Sequence, residues 1–193
     1  MHRKPLLDLL ARYRAAYPDE AVCADRIRAL VETQRECFER SCLPGHVTAS
    51  AWVLSPDGER FLLMHHRKLH RWLQLGGHAD GDADVAAVAL REAREESGLA
   101  ELRFAWAADA PVPIDLDVHR IPERGSEPAH YHHDVRFVLV AAPGQTIFES
   151  DESTALEWFD MDALEAVADD DSVLRLGRKV RRLLAASALQ LFT

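Results

Sequence analysis

The sequence predicts an α/β fold in which helices cover both faces of a mixed β-sheet and a helical extension precedes the sheet. Segments with the period of strands alternate with segments that have the period of helices. A short turn joins two of the strands as a hairpin, so the sheet is not purely parallel. The 193 residues suffice for a single domain with a substantial core. We expect a helical extension at 1–43, a core at 46–165 and a C-terminal helix at 170–193.

The helical extension is predicted as two helices. Residues 6–16 form an amphipathic segment that ends near Pro18. A second helix is expected over 21–40, because apolar residues recur there at helical spacing, namely Ile27, Leu30, Val31 and Phe38. The leucine-rich face of the first helix suits either a homodimer contact or packing within the chain. The segment CLPGH at 42–46 then ends the helical pattern.

After this break the apolar residues follow the alternation of strands. Residues 47–53 and 61–66 predict two strands, and the Asp-Gly turn at 57–58 joins them as a hairpin. A short strand at 71–75 leads into the glycine pair at 76–77. The first part of the core is therefore expected to be antiparallel.

The second part of the core begins with a helix between Asp84, a good N-cap, and Gly98, a good C-terminal stop. Strands are expected near 102–107, 135–141 and 157–159. A final helix is expected over 172–191, and its inward residues are Val173, Leu176, Val180, Leu183 and Leu184.

Charge and composition exclude several classes of partner. The net charge is −9, and the sequence shows no basic stripe of the kind that binds nucleic acid. No stretch approaches the roughly 20 apolar residues of a membrane span, and the first residues lack a secretory signal. Cys23, Cys37 and Cys42 lack CxxC spacing and indicate free thiols in a reducing cytosol. We therefore expect a cytoplasmic protein with neither a nucleic-acid nor a membrane partner.

The helix between Asp84 and Gly98 carries a cluster of acids. Glu92, Glu95 and Glu96 are spaced i, i+3 and i+4, so they share one face with Cβ atoms about 5–6 Å apart. Like charges at this spacing repel one another, and glutamates near a helix C-terminus oppose the helix dipole. One explanation is a solvated acidic face balanced by nearby arginines. The other is a site for Mg²⁺ or Mn²⁺, which prefer oxygen ligands and would turn the repulsion into coordination.

The residues around this cluster resemble the Nudix box, G-x5-E-x7-R-E-U-x-E-E-x-G-U, where U is a bulky apolar residue. The match over 77–99 consists of Gly77, Arg91, Glu92, Glu95, Glu96, Gly98 and Leu99. Two positions depart from the pattern, since Ala83 replaces the first glutamate and Ala93 replaces a bulky residue. In the family that first glutamate is mainly structural, and Asp84 or Asp82 is expected to replace it by capping the helix. The chain is identified as a member of the Nudix hydrolase family.

This resemblance covers about 47–159 and implies a Nudix-type α/β/α sandwich. Nudix enzymes cleave a diphosphate, usually that of a nucleoside diphosphate derivative, by attack of water on phosphorus. Divalent cations suit such chemistry because they neutralise phosphate oxygens and orient the attacking water. The resemblance therefore implies a pyrophosphohydrolase that uses Mg²⁺ or Mn²⁺ as cofactor and a small, nucleotide-based diphosphate as substrate.

The resemblance also implies roles for individual residues. The expected metal ligands are the carboxylates of Glu92, Glu95 and Glu96 and the backbone carbonyl of Gly76. Arg91 is expected to orient these glutamates through an ion pair. The general base is either a glutamate of the helix or an acid from a later loop, for which Glu152 is the first candidate and Asp151 the second.

Histidines and basic residues are dense near the glycine pair and at the start of the strand near 135. Those expected to contact substrate are His65, Arg67, Lys68, His130, His132 and Arg136. A zinc site is another explanation for so many imidazoles, although alternation sends His132 and His133 to opposite strand faces and no cysteine lies near. Ordinary core or surface positions are a third. The long segment 117–130 is expected to be a loop on the rim of the substrate site.

Two other functions use a scaffold of this kind. An isopentenyl-diphosphate isomerase-like enzyme would need a catalytic cysteine in the core, whereas all three cysteines precede residue 43. A non-catalytic ligand-binding module would be expected to lose the acidic residues of the box and to carry a DNA-binding partner, and the sequence shows neither feature. The substrate itself is not determined by the fold and the box, because enzymes with different substrates share both.

Overall fold

The computed structural model describes residues 2–106 and 112–192, in which a mixed sheet lies between two layers of helices. The helices are α1 (Lys4–Ala16), α2 (Ala21–Thr33), α3 (Val85–Ser97), α4 (Leu164–Val167) and α5 (Asp171–Ala185). The strands are β1 (Gly45–Leu54), β2 (Arg60–His66), β3 (Trp72–Leu73), β4 (Leu75–His78), β5 (Leu102–Phe104), β6 (Asp115–Ile121), β7 (His130–Ala141) and β8 (Ser153–Asp160). The predicted α/β/α sandwich with an N-terminal helical extension is confirmed.

Strand β1 is the centre of the sheet. It pairs in parallel with β7 over its whole length, from Gly45 opposite Tyr131 to Leu54 opposite Val140. Along its other edge it pairs antiparallel with β4 over residues 48–51 and with β2 at its end, which confirms the predicted hairpin. The remaining strands extend the sheet on both sides, since β5 and β6 pair with β7, and β3 and β8 pair with β2.

Alternation along β1 divides the apolar core between the two faces of the sheet. Val47 and Val53 belong to the half of the core that contains α1, α2 and α3. Trp52 and Leu54 belong to the half that contains α4 and α5. Burial of each large side chain contributes about 1.5–3 kcal/mol. A slip of one residue would exchange the faces, so the two-sided core fixes the register of β1.

The N-terminal extension packs against the first of these core halves. The leucine-rich face of α1 is buried within the chain through Leu6, Leu9 and Leu10, so a dimer contact would require another surface. The prediction that α2 extends to residue 40 is wrong, because the helix ends at Thr33. The following segment turns back instead, and the carbonyl of Cys37 accepts a hydrogen bond from the Val47 amide at 2.7 Å.

Three other predicted boundaries are corrected. The segment 117–130 is not one long loop, because β6 runs to Ile121 and pairs with β7; its charged residues alternate with apolar ones and concealed a strand. Helix α5 ends at Ala185 and not at residue 191, since the chain turns back there and the Gln190 amide donates to the Ala105 carbonyl. Strand β5 ends at Phe104, and residue 107 of that prediction lies outside the described residues.

None of the helices in the described ranges combines the length and the apolar character needed to cross a bilayer. The longest, α5, has 15 residues and carries several charged side chains.

Candidate active site

Helix α3 begins and ends at the two residues that the sequence indicated. The Asp84 side chain accepts a hydrogen bond from the Ala87 amide at 3.0 Å, which satisfies a free N–H of the first turn. Gly98 ends the helix with φ 71°, a left-handed conformation that glycine adopts without strain. The predicted replacement of the missing box glutamate by an aspartate cap is confirmed. The cap fixes the start of α3 directly after Ala83, the position at which the box pattern has its first glutamate.

The carboxylate of Glu96 is buried at the glycine pair. Its side chain is 6% exposed, and Oε2 accepts a hydrogen bond from the Gly76 amide at 2.8 Å. Burial raises the pKa of Glu96 to about 8, although that hydrogen bond opposes the shift, and the charges of Glu92 and Glu152 raise it further. No cation of the protein pairs with this carboxylate among the described residues. A divalent cation would supply the missing positive charge.

Glu92 contacts the second glycine of the pair. A Cβ atom at Gly77 would lie 2.5 Å from Oε2 of Glu92, so a side chain there would displace the carboxylate from its position. Burial also raises the pKa of Glu92, while the charge of Arg91 lowers it. The third acid, Glu95, is the most exposed of the three, with 61% of its side chain accessible. The cluster therefore runs from the buried glycine pair to solvent.

Arg91 connects the acidic cluster to β4. Its guanidinium lies 2.7 Å from Oε1 of Glu92 and 3.4 Å from Oε2 of Glu95. It also donates to the carbonyl of His78 at 3.1 Å. These contacts fit the positioning role expected from the sequence, because a single side chain orients two acids relative to the glycine pair.

A large cavity lies beside the glycine pair. Its volume is about 920 Å³, which is within the usual range for a small-molecule site. Gly76 and Gly77 form part of its wall, and the glutamates of α3 contact these glycines from the side. Glu152 lines the same cavity and lies close enough to Glu92 and Glu96 to raise their pKa values. A loop acid of the cavity wall thus lies near the helix acids, which themselves are not part of that wall.

Arg67 holds the loop that carries Glu152. Its guanidinium donates to the carbonyls of Asp151 at 2.9 Å and Ser153 at 2.8 Å, and its amide donates to the Glu152 carbonyl at 2.9 Å. Arg67 does not line the cavity, so the structure places it behind the loop and not in contact with a substrate. Asp151, the second candidate base, also lies outside the cavity wall.

Arg136 lines the cavity but is enclosed by acids. It is 1% exposed, and its guanidinium lies within 3.2 Å of carboxylate oxygens of Asp115, Asp117 and Asp134. Burial would lower its pKa, but these three charges raise the pKa above the usual value. Its positive charge is therefore neutralised locally, which reduces what it can offer to a phosphate.

The other predicted substrate contacts divide into two groups. His132 lines the cavity. His130 lies just outside its wall, 3% exposed, with Nε2 at 3.2 Å from Nε2 of His132. His65 also lies outside the wall and makes a 2.6 Å contact with the Thr154 hydroxyl.

His66, which the sequence analysis did not single out, lines the cavity where His65 was expected. The pairing of β2 with β8 shifts register between these two residues, and a bulge of this kind redirects side chains against simple alternation. The far side of the cavity was also missed, and it is formed by Arg71, Arg120, Asp169, Asp170, Ser172 and Arg175. These residues come from segments that are distant in sequence, so no local pattern identifies them.

The cysteines lie away from the cavity wall. Cys37 and Cys42 are buried in the N-terminal extension, and Cys23 is partly buried on α2. Burial raises the pKa of Cys23 and of Cys37 to about 11, so both thiols are protonated at neutral pH. This placement gives no support to an isomerase that depends on a catalytic cysteine.

The sequence was compared with models of protein families and with curated proteins. The model described as "NUDIX domain" matches residues 44–177, which is more than half of the chain. No curated protein matches the chain significantly.

Solved structures with the same fold were also found. A hydrolase of the NUDIX family from Clostridium perfringens is 21% identical, with a TM-score of 0.56 over 72% of this chain and 97% of that chain. The Ap4A hydrolase of C. elegans, in a binary complex, is 19% identical, with a TM-score of 0.52 over 72% and 98%. The E. coli dihydroneopterin triphosphate pyrophosphohydrolase is 16% identical, with a TM-score of 0.54 over 72% and 95%. At these identities the likeness concerns the fold alone.

Proposed function

The chain belongs to the Nudix hydrolase family, and we propose that it is a Mg²⁺- or Mn²⁺-dependent pyrophosphohydrolase that cleaves the diphosphate of a nucleoside diphosphate derivative. The observation that carries this proposal is the buried, uncompensated carboxylate of Glu96 beside Gly76 and Glu92. Burial of an acid among other acids is energetically unfavourable, and a bound cation would offset this cost.

The residues at this position fit a hard divalent cation. The donor set consists of oxygen atoms, namely the carboxylates of Glu92, Glu95 and Glu96 with the Gly76 carbonyl as an additional ligand. Glu95 is open to solvent, which leaves room for retained water and for phosphate oxygens. The absence of a side chain at Gly77 lets Glu92 approach the strand. Each feature suits a metal that is shared between protein and substrate.

Residues of the chain would divide the work of hydrolysis. The carboxylates of Glu92, Glu95 and Glu96 would hold the divalent cation, whose chemistry would be to neutralise phosphate charge and to activate water. Glu152 is proposed to accept the proton of the attacking water, since it lines the cavity and lies close enough to Glu92 and Glu96 to raise their pKa values. Arg91 positions the helix acids, and Arg67 positions the loop of Glu152. Both arginines therefore act through other residues.

The cavity suits a phosphate-containing ligand of moderate size. His132 and Arg136 are proposed to contact the substrate from β7, with the charge of Arg136 shared among its acidic neighbours. Arg120, an exposed cation of β6 that also lines the cavity, is a further phosphate contact. His65 and His130 support the wall from behind.

The experiment is a screen of nucleoside diphosphate derivatives for release of phosphate-containing products. Turnover should require Mg²⁺ or Mn²⁺ and should stop when EDTA is added. Glu96→Gln should reduce kcat by at least about 100-fold, because it removes a charged metal ligand and leaves the shape unchanged. The matched control is Glu101→Gln, at an exposed glutamate just after the helix, which should keep the wild-type rate.

Two results would contradict the proposal. Turnover of a diphosphate that persists in EDTA would exclude the metal, and full activity of Glu96→Gln would exclude the assigned ligands. The melting temperature of each variant, measured without metal, separates a loss of activity from a loss of folding.

A further inference from the structure

Five histidines meet at one end of the sheet, and neither the acidic site nor its proposed mechanism accounts for the whole group. His46 lies on β1 directly opposite His132 on the parallel strand β7, and His119 on β6 lies opposite His132 on its other side. His130 shares a strand face with His132, two residues earlier. His78, the residue after the glycine pair, completes the group, with its ring centroid 5.1 Å from that of His46.

Three of these residues present ring nitrogens to one common point. One ring nitrogen from each of His46, His130 and His132 lies within 4.8 Å of the others. The Nε2 atoms of His130 and His132 are 3.2 Å apart. Two nitrogens bound to one tetrahedral Zn²⁺ at 2.0–2.1 Å lie about 3.3 Å apart. The two imidazoles on β7 are thus at a spacing that suits an N–H···N hydrogen bond or, equally, a shared cation.

A hydrogen bond to its Nδ1 atom orients the ring of His130 as a metal ligand. His130 Nδ1 lies 2.9 Å from the Pro128 carbonyl, which can only accept, so Nδ1 carries the proton and the lone pair is on Nε2. The Nε2 atom points toward His132. Backbone carbonyls play this orienting role behind histidine ligands in metal sites.

His46 provides a second, independent observation. Its side chain is 1% exposed, and neither ring nitrogen has a partner at hydrogen-bond geometry among the described residues, although the Cys42 backbone lies close enough to act on its pKa. A buried nitrogen without a partner is destabilising, and nearly all such groups in folded proteins are satisfied by protein, water or an ion. The rings of His130 and His132 both lie 4.9 Å from that of His46, centroid to centroid. A cation among the three rings would satisfy it.

The geometry points to a second metal site, in which His46, His130 and His132 bind one borderline divalent cation such as Zn²⁺. Imidazole ligands select Zn²⁺, Co²⁺, Ni²⁺ or Cu²⁺ over Mg²⁺, which prefers the oxygen ligands of the acidic cluster. The two sites therefore differ in chemistry as well as in residues. His132 also lines the cavity, so a cation held by these three rings would lie beside the cavity wall.

The test is a titration of the EDTA-treated full-length protein with Co²⁺, followed by visible absorption in the presence of excess Mg²⁺. Mg²⁺ fills the acidic site, so the Co²⁺ spectrum reports the imidazoles. We expect one Co²⁺ per chain with the absorption of a nitrogen-ligated ion, displaced by one equivalent of Zn²⁺. His46→Phe, which keeps the ring volume, and His130→Gln should each weaken binding by at least about 100-fold, more than the loss of a group behind a ligand costs.

Two control variants separate this site from its surroundings. His133→Gln changes a buried histidine of the same strand that is not part of the group, and it should bind Co²⁺ like the wild type. Glu96→Gln should also retain Co²⁺. The test of the histidine site is therefore independent of the test of the proposed hydrolysis. The inference is overturned if the wild-type protein binds no Co²⁺ in excess Mg²⁺, which would mean a metal-free cluster of histidines. It is also overturned if a correctly folded His46→Phe binds Co²⁺ as the wild type does.

Discussion

The acidic cluster and the histidine group lie at the same end of the sheet, but they are built in opposite ways. The three glutamates belong to a single helix and are neighbours because of its 3.6-residue period. His46 and His132 become neighbours only because β1 and β7 pair in parallel, at a separation of 86 positions. One site is local in sequence and the other depends on tertiary structure.

Burial shifts the pKa values of both groups so that the uncharged form is favoured. It raises the pKa of Glu96 to about 8 and lowers the pKa of His46 to about 4 and of His132 to about 2. In each case the low-dielectric surroundings favour the neutral form. A buried carboxyl group with a raised pKa must release its proton to bind a cation, whereas a neutral imidazole already presents a lone pair. One end of the sheet can therefore present two kinds of ligand, carboxylates from a helix and imidazoles from strands.

The largest expected effect concerns the acidic site. Glu152→Gln removes the proposed general base, and such a group contributes about 10²–10⁴-fold, so kcat of the hydrolase reaction should fall by at least about 100-fold. KM should change little, since the side chain is not proposed to bind the substrate. Steady-state kinetics with the best substrate of the screen measure both constants.

Asp151→Asn is the matched control for this variant. It neutralises the preceding acid in the same loop, which lies outside the cavity wall. The wild-type kcat is expected for it, and Co²⁺ binding at the histidines should be unchanged in both variants. If the two substitutions reduced kcat equally, the loop as a whole would matter and Glu152 would lose its assigned role.

A smaller effect is expected at the histidine end, where Asp117 contacts His119, Arg136 and Arg175. Burial alone would raise the pKa of Asp117, but the hydrogen bond from His119 and the charge of Arg136 hold it below its usual range. Asp117→Asn should reduce the free energy of unfolding by about 2–3 kcal/mol at pH 7, because it leaves buried positive charge less well balanced. Urea unfolding of the metal-free protein measures this loss.

The sign of the pH dependence follows from that lowered pKa. The stabilisation is fully present above the pKa of an unfolded aspartate, about 3.9, and it is lost as the pH falls below that value. The difference in unfolding free energy between wild type and Asp117→Asn should therefore begin to shrink below about pH 4 and keep shrinking as the pH falls toward the lower pKa of the folded state. Curves that stayed parallel throughout this range would show that Asp117 is not the group responsible.

The sequence was sufficient to predict the sandwich, the hairpin, α3 with both its ends, and the clustering of three acids on one face of that helix. Each of these depends on short-range spacing, such as the i, i+3, i+4 relation of the glutamates or the cap at Asp84. The prediction failed at β6, because a strand whose polar face lies on a charged network resembles a loop. It also exchanged His65 for His66, because a β-bulge is not visible in an alternating pattern.

The histidine group marks the limit of sequence reasoning more clearly. Density of histidines raised the idea of a zinc site, but the partner of His130 and His132 is His46, for which no local signal exists. Only the register of two parallel strands brings them together. Long-range pairing of this kind is what a single sequence does not specify residue by residue.

The smallest expected effect isolates the local construction of the acidic site. Asp84→Ala removes the N-cap of α3 and should lower the free energy of unfolding by about 1 kcal/mol, or the melting temperature by about 2–4 °C. Asp84→Ser is the matched control, because serine caps equally well without the charge, and it should restore most of the loss in thermal unfolding. An equal loss in both variants would assign the effect to charge and not to the cap. Ala83 stands where the box pattern has a glutamate, so the start of α3 depends on the Asp84 cap. Loss of the cap should therefore destabilise α3 more than the histidine group, whose residues lie on strands.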